Sequence, residues 1–298
     1  METACAFAPA NISLVFETYD AEPPHGRGSL GVGITLTEGV TVCVSRGGGP
    51  RHEVVVGGEA WEFPTVRTVL EALSPAPLRV EITAAFPFGC GFGMSGAGAL
   101  ASAFAVNQLL SLNRGRTELG MTAHLAEVQN ATGLGDVGGQ FNGGIMIKRR
   151  KFEPLAVEQL PVPPQKLHVR IFGPIHTPDV INSREKLAHI NRAGHAAMLA
   201  ITRAGGTLTM RSLLDISRRF SEESGLLQSP RLRDALAAAD QAGHSASMIM
   251  LGEAAVSSGP FPGSREVEVL CDGVCLSRTN APMRRTSHAA DHAISACQ

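Results

Sequence analysis

Apolar and polar positions alternate most cleanly at Leu78, Val80 and Ile82 against Arg79, Glu81 and Thr83, the period of a strand with one buried face. Upstream, residues 4–16 read as two short strands broken at Pro9. After a Gly/Pro/His loop, the runs at 31–36, 40–45 and 52–56 read as further strands, the last two separated by a turn at 47–50, and 66–73 fits a short helix. Beyond residue 86 the period changes. Ala97, Leu100, Ala101, Phe104, Leu109 and Leu112 share one helical face, which Asn113-Arg114-Gly115 ends, and a second helix is expected over 117–129 with Thr117 as N-cap. The stretch GLGDVGGQFNGG (133–144) carries too many glycines to continue a helix and predicts a tight loop before the strand IMIK (145–148).

The second half opens on a strand at 167–173. Three helices follow at 183–204, 208–224 and 230–242, the first with Asn182 and Glu185 as a capping box, then a strand at 247–251 and a hairpin turning at Asp272-Gly273. A β-rich first half and a β-α-α-α-β-β second half predict an α+β protein with helices on one sheet face. The basic cluster KRRK (148–151), read as a solvated turn, and the prolines after it mark the boundary between two domains, 1–155 and 156–280; the polar segment 281–298 reads as a loosely ordered tail.

Composition narrows the function more by exclusion than by indication. With 26 Lys+Arg against 27 Asp+Glu the formal charge is −1, so no bulk field recruits nucleic acid or an anionic membrane. No run reaches the roughly 18–20 apolar residues of a membrane span. Six cysteines at 5, 43, 90, 271, 275 and 297 are too few and too scattered for a disulfide framework, and a reducing cytoplasm is the expected setting.

Chemistry concentrates at FPFGCGFGMSGAGA (86–99), where a strand gives way to glycines and then to a helix. Such a turn lets backbone amides and the positive end of the helix converge on an anion. Gly91, Gly93 and Gly96 satisfy G-x-G-x-x-G, but Glu118 starts a helix where a dinucleotide fold would place its ribose carboxylate at a strand end. No Lys-Ser/Thr follows Gly96, so a Walker loop fails, and Ala97 breaks the nucleophile-elbow pattern around Ser95. A lysine-free phosphate loop remains, with the Ser95 hydroxyl free for a phosphate or Mg²⁺. Glu127, near the unfavourable C-terminal end of its helix, and Asp136, between Gly135 and Val137, both ask for a compensating cation. Mg²⁺ bridging ATP phosphates fits Ser95 and Glu127, and leaves Asp136 to orient or deprotonate an acceptor hydroxyl.

The order of APANISL (8–14), FPFGCGFGMSGAGA and GLGDVGGQFNGG resembles the three-part layout of the GHMP kinase superfamily and, within it, the archaeal pantoate kinases. GSLGVGITL, AHLAEVQNATGLGDVGGQ, GPIHT, LLDISRRFSEESGL and ASMIMLGEAA extend the resemblance over roughly residues 6–256. The resemblance implies an α+β two-domain fold, with a ribosomal-protein-S5-like N-terminal domain and a ferredoxin-like C-terminal one. It implies a cytoplasmic enzyme that uses ATP and Mg²⁺ to phosphorylate the 4-hydroxyl of pantoate on the archaeal route to coenzyme A. Carried over by motif, Gly89, Gly91, Phe92, Gly93, Met94, Ser95, Gly96 and Ala97 hold the triphosphate, Ser95 and Glu127 the metal, and Asp136 is the catalytic carboxylate. Asn11 stands where the family usually carries a basic or imidazole group, and the last glycine motif is thin, reduced to AGHSAS (242–247).

Substrate-facing candidates are Asn11, Ser13, His25, Arg27, Thr177 and Arg184. Arg27, in a glycine-flanked loop, is the first choice for the pantoate carboxylate and Arg184 the second. The alternatives are a GHMP kinase for mevalonate or homoserine, or a non-catalytic nucleotide-binding homologue; a homodimer is left open. Cys271, Cys275, His288 and His292 have zinc-finger spacing, but Thr279 and Arg285 replace the apolar core such a finger needs, so the match is read as fortuitous.

Overall fold

The computed structural model describes residues 2–21, 26–175, 180 and 183–276. The candidates His25, Thr177, Asn182, His288 and His292 and the tail at 281–298 lie outside the described residues.

Strands β1 (Thr3–Tyr19) and β2 (Gly28–Arg46) form one long antiparallel pair. The expected break at Pro9 is a correction: β1 runs through it. Proline lacks the N–H for the ladder, and the register slips instead between Pro9 and Ala10, then again between Ser13 and Val15. Between these irregularities lie Asn11 and Ser13, two residues apart and so on one face. The two strands expected at 31–36 and 40–45 are likewise a single strand, β2.

β3 (Glu53–Val56) leads through β4 (Glu59–Ala60) to helix α1 (Pro64–Leu73) and β5 (Leu78–Ala84), which pairs with the distal half of β2. Helix α2 (Met94–Leu109) follows the glycine stretch. It is apolar on every side, the composition of a helix buried all round, and it packs between the β1–β2 pair and helices α1 and α3 (Arg116–Gln129). Helix α3 is preceded by Gly115 at the cap position, so Thr117 is not its N-cap.

The expected loop at 133–144 contains a helix, α4 (Asp136–Asn142). Close packing outweighs the poor helix propensity of glycine here: a Cβ on Gly138 would strike the Pro154 carbonyl, and one on Gly139 would lie 2.5 Å from Asn11 Oδ1. β6 (Ile145–Lys148) then pairs with the proximal half of β2, and β7 (Glu158–Gln159) with β6. Lys148 is buried, which corrects its reading as part of a solvated turn; Arg149, Arg150 and Lys151 are exposed or nearly so.

A second sheet is built from β8 (Lys166–Pro174), β9 (Ala246–Ile249), β10 (Gly252–Ser257) and β11 (Arg265–Glu268) in the order β11-β8-β10-β9. That is the strand order of a ferredoxin-like sheet, with helices α5 (Arg184–Ala204), α6 (Met210–Glu223) and α7 (Pro230–Gln241) in the first crossover. The cap of α5 is Ser183, whose side chain accepts from the Lys186 amide. Among the described residues the hairpin expected at Asp272-Gly273 does not form. After β11 the chain leaves the second sheet, and β12 (Cys275–Leu276) adds to β1 in the first, because Gly273 packs against the Phe141 carbonyl and Val274 N–H bonds to Gln140 O at 2.8 Å.

Cys5 and Cys43 stand opposite one another on β1 and β2 and are joined as a disulfide, so cross-strand register, invisible in the spacing of the cysteines, pairs two of the six. No helix among the described residues is long and apolar enough to cross a membrane.

Candidate active site

The glycine stretch becomes a phosphate-loop geometry through its backbone. Gly93 adopts a left-handed conformation (φ 64°) and caps α2 without a side chain, so the first amides of that helix face outward with no capping oxygen. Phe92 is buried and stacked on Phe86, and its carbonyl accepts from the Asn11 N–H at 3.0 Å, tying the loop to β1. Met94, Gly96 and Ala97 are buried and Ser95 half-buried at the helix start. From the second sheet, Ile175 N–H donates to Gly89 O at 3.0 Å, and Gly91 lies against Ile249 and Met250.

Two carboxylates close on this loop from different sides. Glu127, on the last turn of α3, is 1% exposed. Its Oε1 accepts from Thr132 Oγ1 at 2.7 Å and the Ser95 hydroxyl interacts with the carboxyl group, whereas Oε2 has no hydrogen-bond partner. Burial pushes its pKa up to about 7, and the nearby Asp136 charge adds to that rise against the hydrogen bonds from Thr132 and Ser95. Gly133 follows closely, and a Cβ there would collide with Glu127 Oε2. A buried carboxylate with one free oxygen, beside a serine hydroxyl at a phosphate loop, is a donor set that fits Mg²⁺. Among the described residues no three His, Cys, Asp or Glu side chains converge on a metal position.

Asp136, half-buried, opens α4. Its Oδ1 accepts from Asn11 Nδ2 at 2.7 Å and from Ser13 Oγ at 3.4 Å. Desolvation raises its pKa, while those hydrogen bonds and the charge of Lys148 draw it down. Asn11 and Ser13 line a recess together with Ser29, Gly33, Gly135 and Lys148. Lys148 is 6% exposed, and burial lowers its pKa to about 8, with Asp136 opposing the fall. Behind it, buried His124 is held down to about 4 by desolvation first and by the Lys148 charge second.

The structure therefore brings Asn11, Ser13 and Asp136 together, and Ser95 with Glu127. Arg27 does not join them: its guanidinium pairs with exposed Asp20 at 3.1 Å, although its backbone touches His124. Arg184 is exposed at the start of α5 and does not line the recess. Lys148, His124, Ser29 and Gln140 escaped the sequence reading. For Lys148 the signal was present, since IMIK ends a strand that enters the site, but a neighbouring run of three cations disguised it.

Residues 60–144 match the model of the GHMP kinases N terminal domain. The chain is 33% identical over 291 residues to the pantoate kinase of Thermococcus kodakarensis, covering 93% of each protein. It is 28% identical over 253 residues to that of Methanospirillum hungatei, covering 83% of this chain and 84% of the relative. A solved structure described as a phosphotransferase related to the CoA biosynthesis pathway superposes with a TM-score of 0.81 at 26% identity, covering 94% of this chain and 100% of that one. The chain belongs to the GHMP kinase family, in its pantoate kinase branch.

Proposed function

We propose that the protein transfers the γ-phosphoryl group of ATP to the 4-hydroxyl of pantoate, giving 4-phosphopantoate and ADP. The observation that carries this reading is the separation of the two acids into different environments. Glu127 is sealed beside Ser95 at the phosphate loop, and Asp136 is held by Asn11 and Ser13, which line the recess. One acid then serves a metal and the other a hydroxyl.

The amides of residues 91–97 receive the triphosphate, where they stabilise charge that develops during transfer. Ser95 and Glu127 hold Mg²⁺, which when bound neutralises the phosphate oxygens. With Oδ1 of Asp136 engaged by Asn11 and Ser13, its Oδ2 accepts the proton as the pantoate oxygen bonds to the γ-phosphorus and the bond to ADP breaks. A pKa raised by burial makes Asp136 a better base near neutrality. Lys148, the buried cation of the recess, takes the pantoate carboxylate in place of Arg27 or Arg184. The domain division at about residue 155 puts these groups in an ATP-binding half, with the second half bracing the glycine loop, and the expected setting is the cytoplasm. Incubation with ATP, Mg²⁺ and pantoate, followed by ³¹P NMR, tests the reaction: a phosphomonoester on the 4-oxygen supports it, and ATP left intact opposes it.

A further inference from the structure

Gln140 lies one turn after Asp136 on α4 and is fully buried. Its Nε2 donates to the carbonyl of Gly93 at 2.7 Å, the residue whose left-handed turn starts α2. Its own main-chain carbonyl accepts from Val274 N–H at 2.8 Å, so backbone and side chain are both anchored. The amide oxygen is treated differently. Gln140 Oε1 is buried with no hydrogen-bond partner, and so is Glu127 Oε2.

These two acceptors share a neighbour. A Cβ on Gly96 would stand 2.9 Å from Gln140 Oε1 and 3.2 Å from Glu127 Oε2, so both oxygens border the same point at the start of α2. Buried acceptors without donors are rare because each forfeits its hydration. Two together at a phosphate loop call for a species that brings its own donors, and a hydrated divalent cation does so through the waters it keeps.

We propose that Gln140 is a positioning residue of the phosphoryl-transfer site. Through Nε2 it fixes the phosphate loop to the helix that carries Asp136, and through Oε1 it accepts a hydrogen bond from water coordinated to the cation held by Ser95 and Glu127. The inference rests on the metal reading given under Proposed function. A neutral amide suits the position, since a second carboxylate there would add to the burden that already lifts Glu127.

The test titrates Mn²⁺ into the full-length protein with ADP present and follows free Mn²⁺ by electron paramagnetic resonance, so no turnover is needed. Gln140→Met fills the same volume without polar atoms, and Gln140→Glu keeps the Oε1 acceptor while losing the Nε2 donor. The Met variant is expected to weaken Mn²⁺ binding about tenfold, the lower end for losing a group that orients a metal site, and the Glu variant, which keeps the acceptor, to weaken it less. Unchanged affinity in the Met variant, or equal weakening in both, overturns the proposal, the latter because it marks a purely structural glutamine. If the Met variant does not fold, Gln140→Leu takes its place, with the same two outcomes. Glu127→Gln separates the two levels of argument. If it binds Mn²⁺ as wild type does, the metal reading fails and takes the inference with it; if it loses Mn²⁺ while Gln140→Met does not, only the inference fails.

Discussion

Asn11 Nδ2 donates to Asp136 Oδ1 at 2.7 Å, across 125 positions of sequence. The bond joins the only stretch of β1 bracketed by two register slips to the first residue of a helix built largely on close glycine contacts. An uncharged donor therefore holds this carboxylate by one oxygen, and the bond draws its pKa down against the rise from desolvation.

Asp136→Asn should cut kcat by ~10² or more, the lower end for losing a positioned base, with nucleotide binding retained. Steady-state turnover alongside ADP binding by calorimetry checks this. Wild-type turnover in the variant would end the assignment of Asp136 as base.

Asn11→Leu removes a hydrogen bond to a carboxylate, a loss of about 1.5–3 kcal/mol, or roughly 10- to 100-fold in kcat. Because Asn11 draws the Asp136 pKa down, its removal should also move the acid limb of the rate profile to higher pH. An unmoved limb with reduced kcat would make Asn11 a packing residue only.

Glu127 links function to stability. Its folded pKa of about 7 exceeds the ordinary 4.5, so in the metal-free protein its stability contribution is fully present below about pH 4.5 and lost as pH rises through 7. Ionisation then costs on the order of 3 kcal/mol at pH 8. Glu127→Gln should raise the melting temperature of metal-free protein at pH 8, by an amount that shrinks toward pH 5, while abolishing turnover. A gain independent of pH would contradict the linkage.

Lys148 must be protonated to hold a carboxylate, and its pKa of about 8 places the alkaline limb of kcat/KM for pantoate there. Lys148→Arg, charged throughout, should carry that limb to higher pH. Lys148→Met should raise the KM for pantoate roughly 10- to 100-fold, the loss of a charged hydrogen bond, and leave the KM for ATP unchanged. Equal changes in both constants would show that Lys148 does not face the acceptor.

Local pattern made much of this site legible. The strand–glycine–helix order placed residues 91–97, and the awkward positions of Glu127 and Asp136 marked them as needing partners. What stayed hidden depended on contacts between distant segments. Helix α4 forms because glycines let it approach Asn11 and Pro154, which no local propensity encodes. Lys148 is buried by strand pairing with β2, not by anything in KRRK itself. The Cys5–Cys43 pair follows from the register of β1 and β2, and β12 crosses to the first sheet because Gly143 and Gly273 create room for it. Arg27, chosen from its glycine-flanked loop, pairs with Asp20, a contact that local sequence does not announce.

The most direct test of the central claim is ADP release measured with pantoate, mevalonate and homoserine as alternative acceptors, for wild type and Asp136→Asn side by side. Wild type should release ADP with pantoate at a kcat/KM far above the other two, and the variant should lose that rate. Equal or higher rates with mevalonate or homoserine, or ADP release that does not depend on any acceptor, would contradict the account.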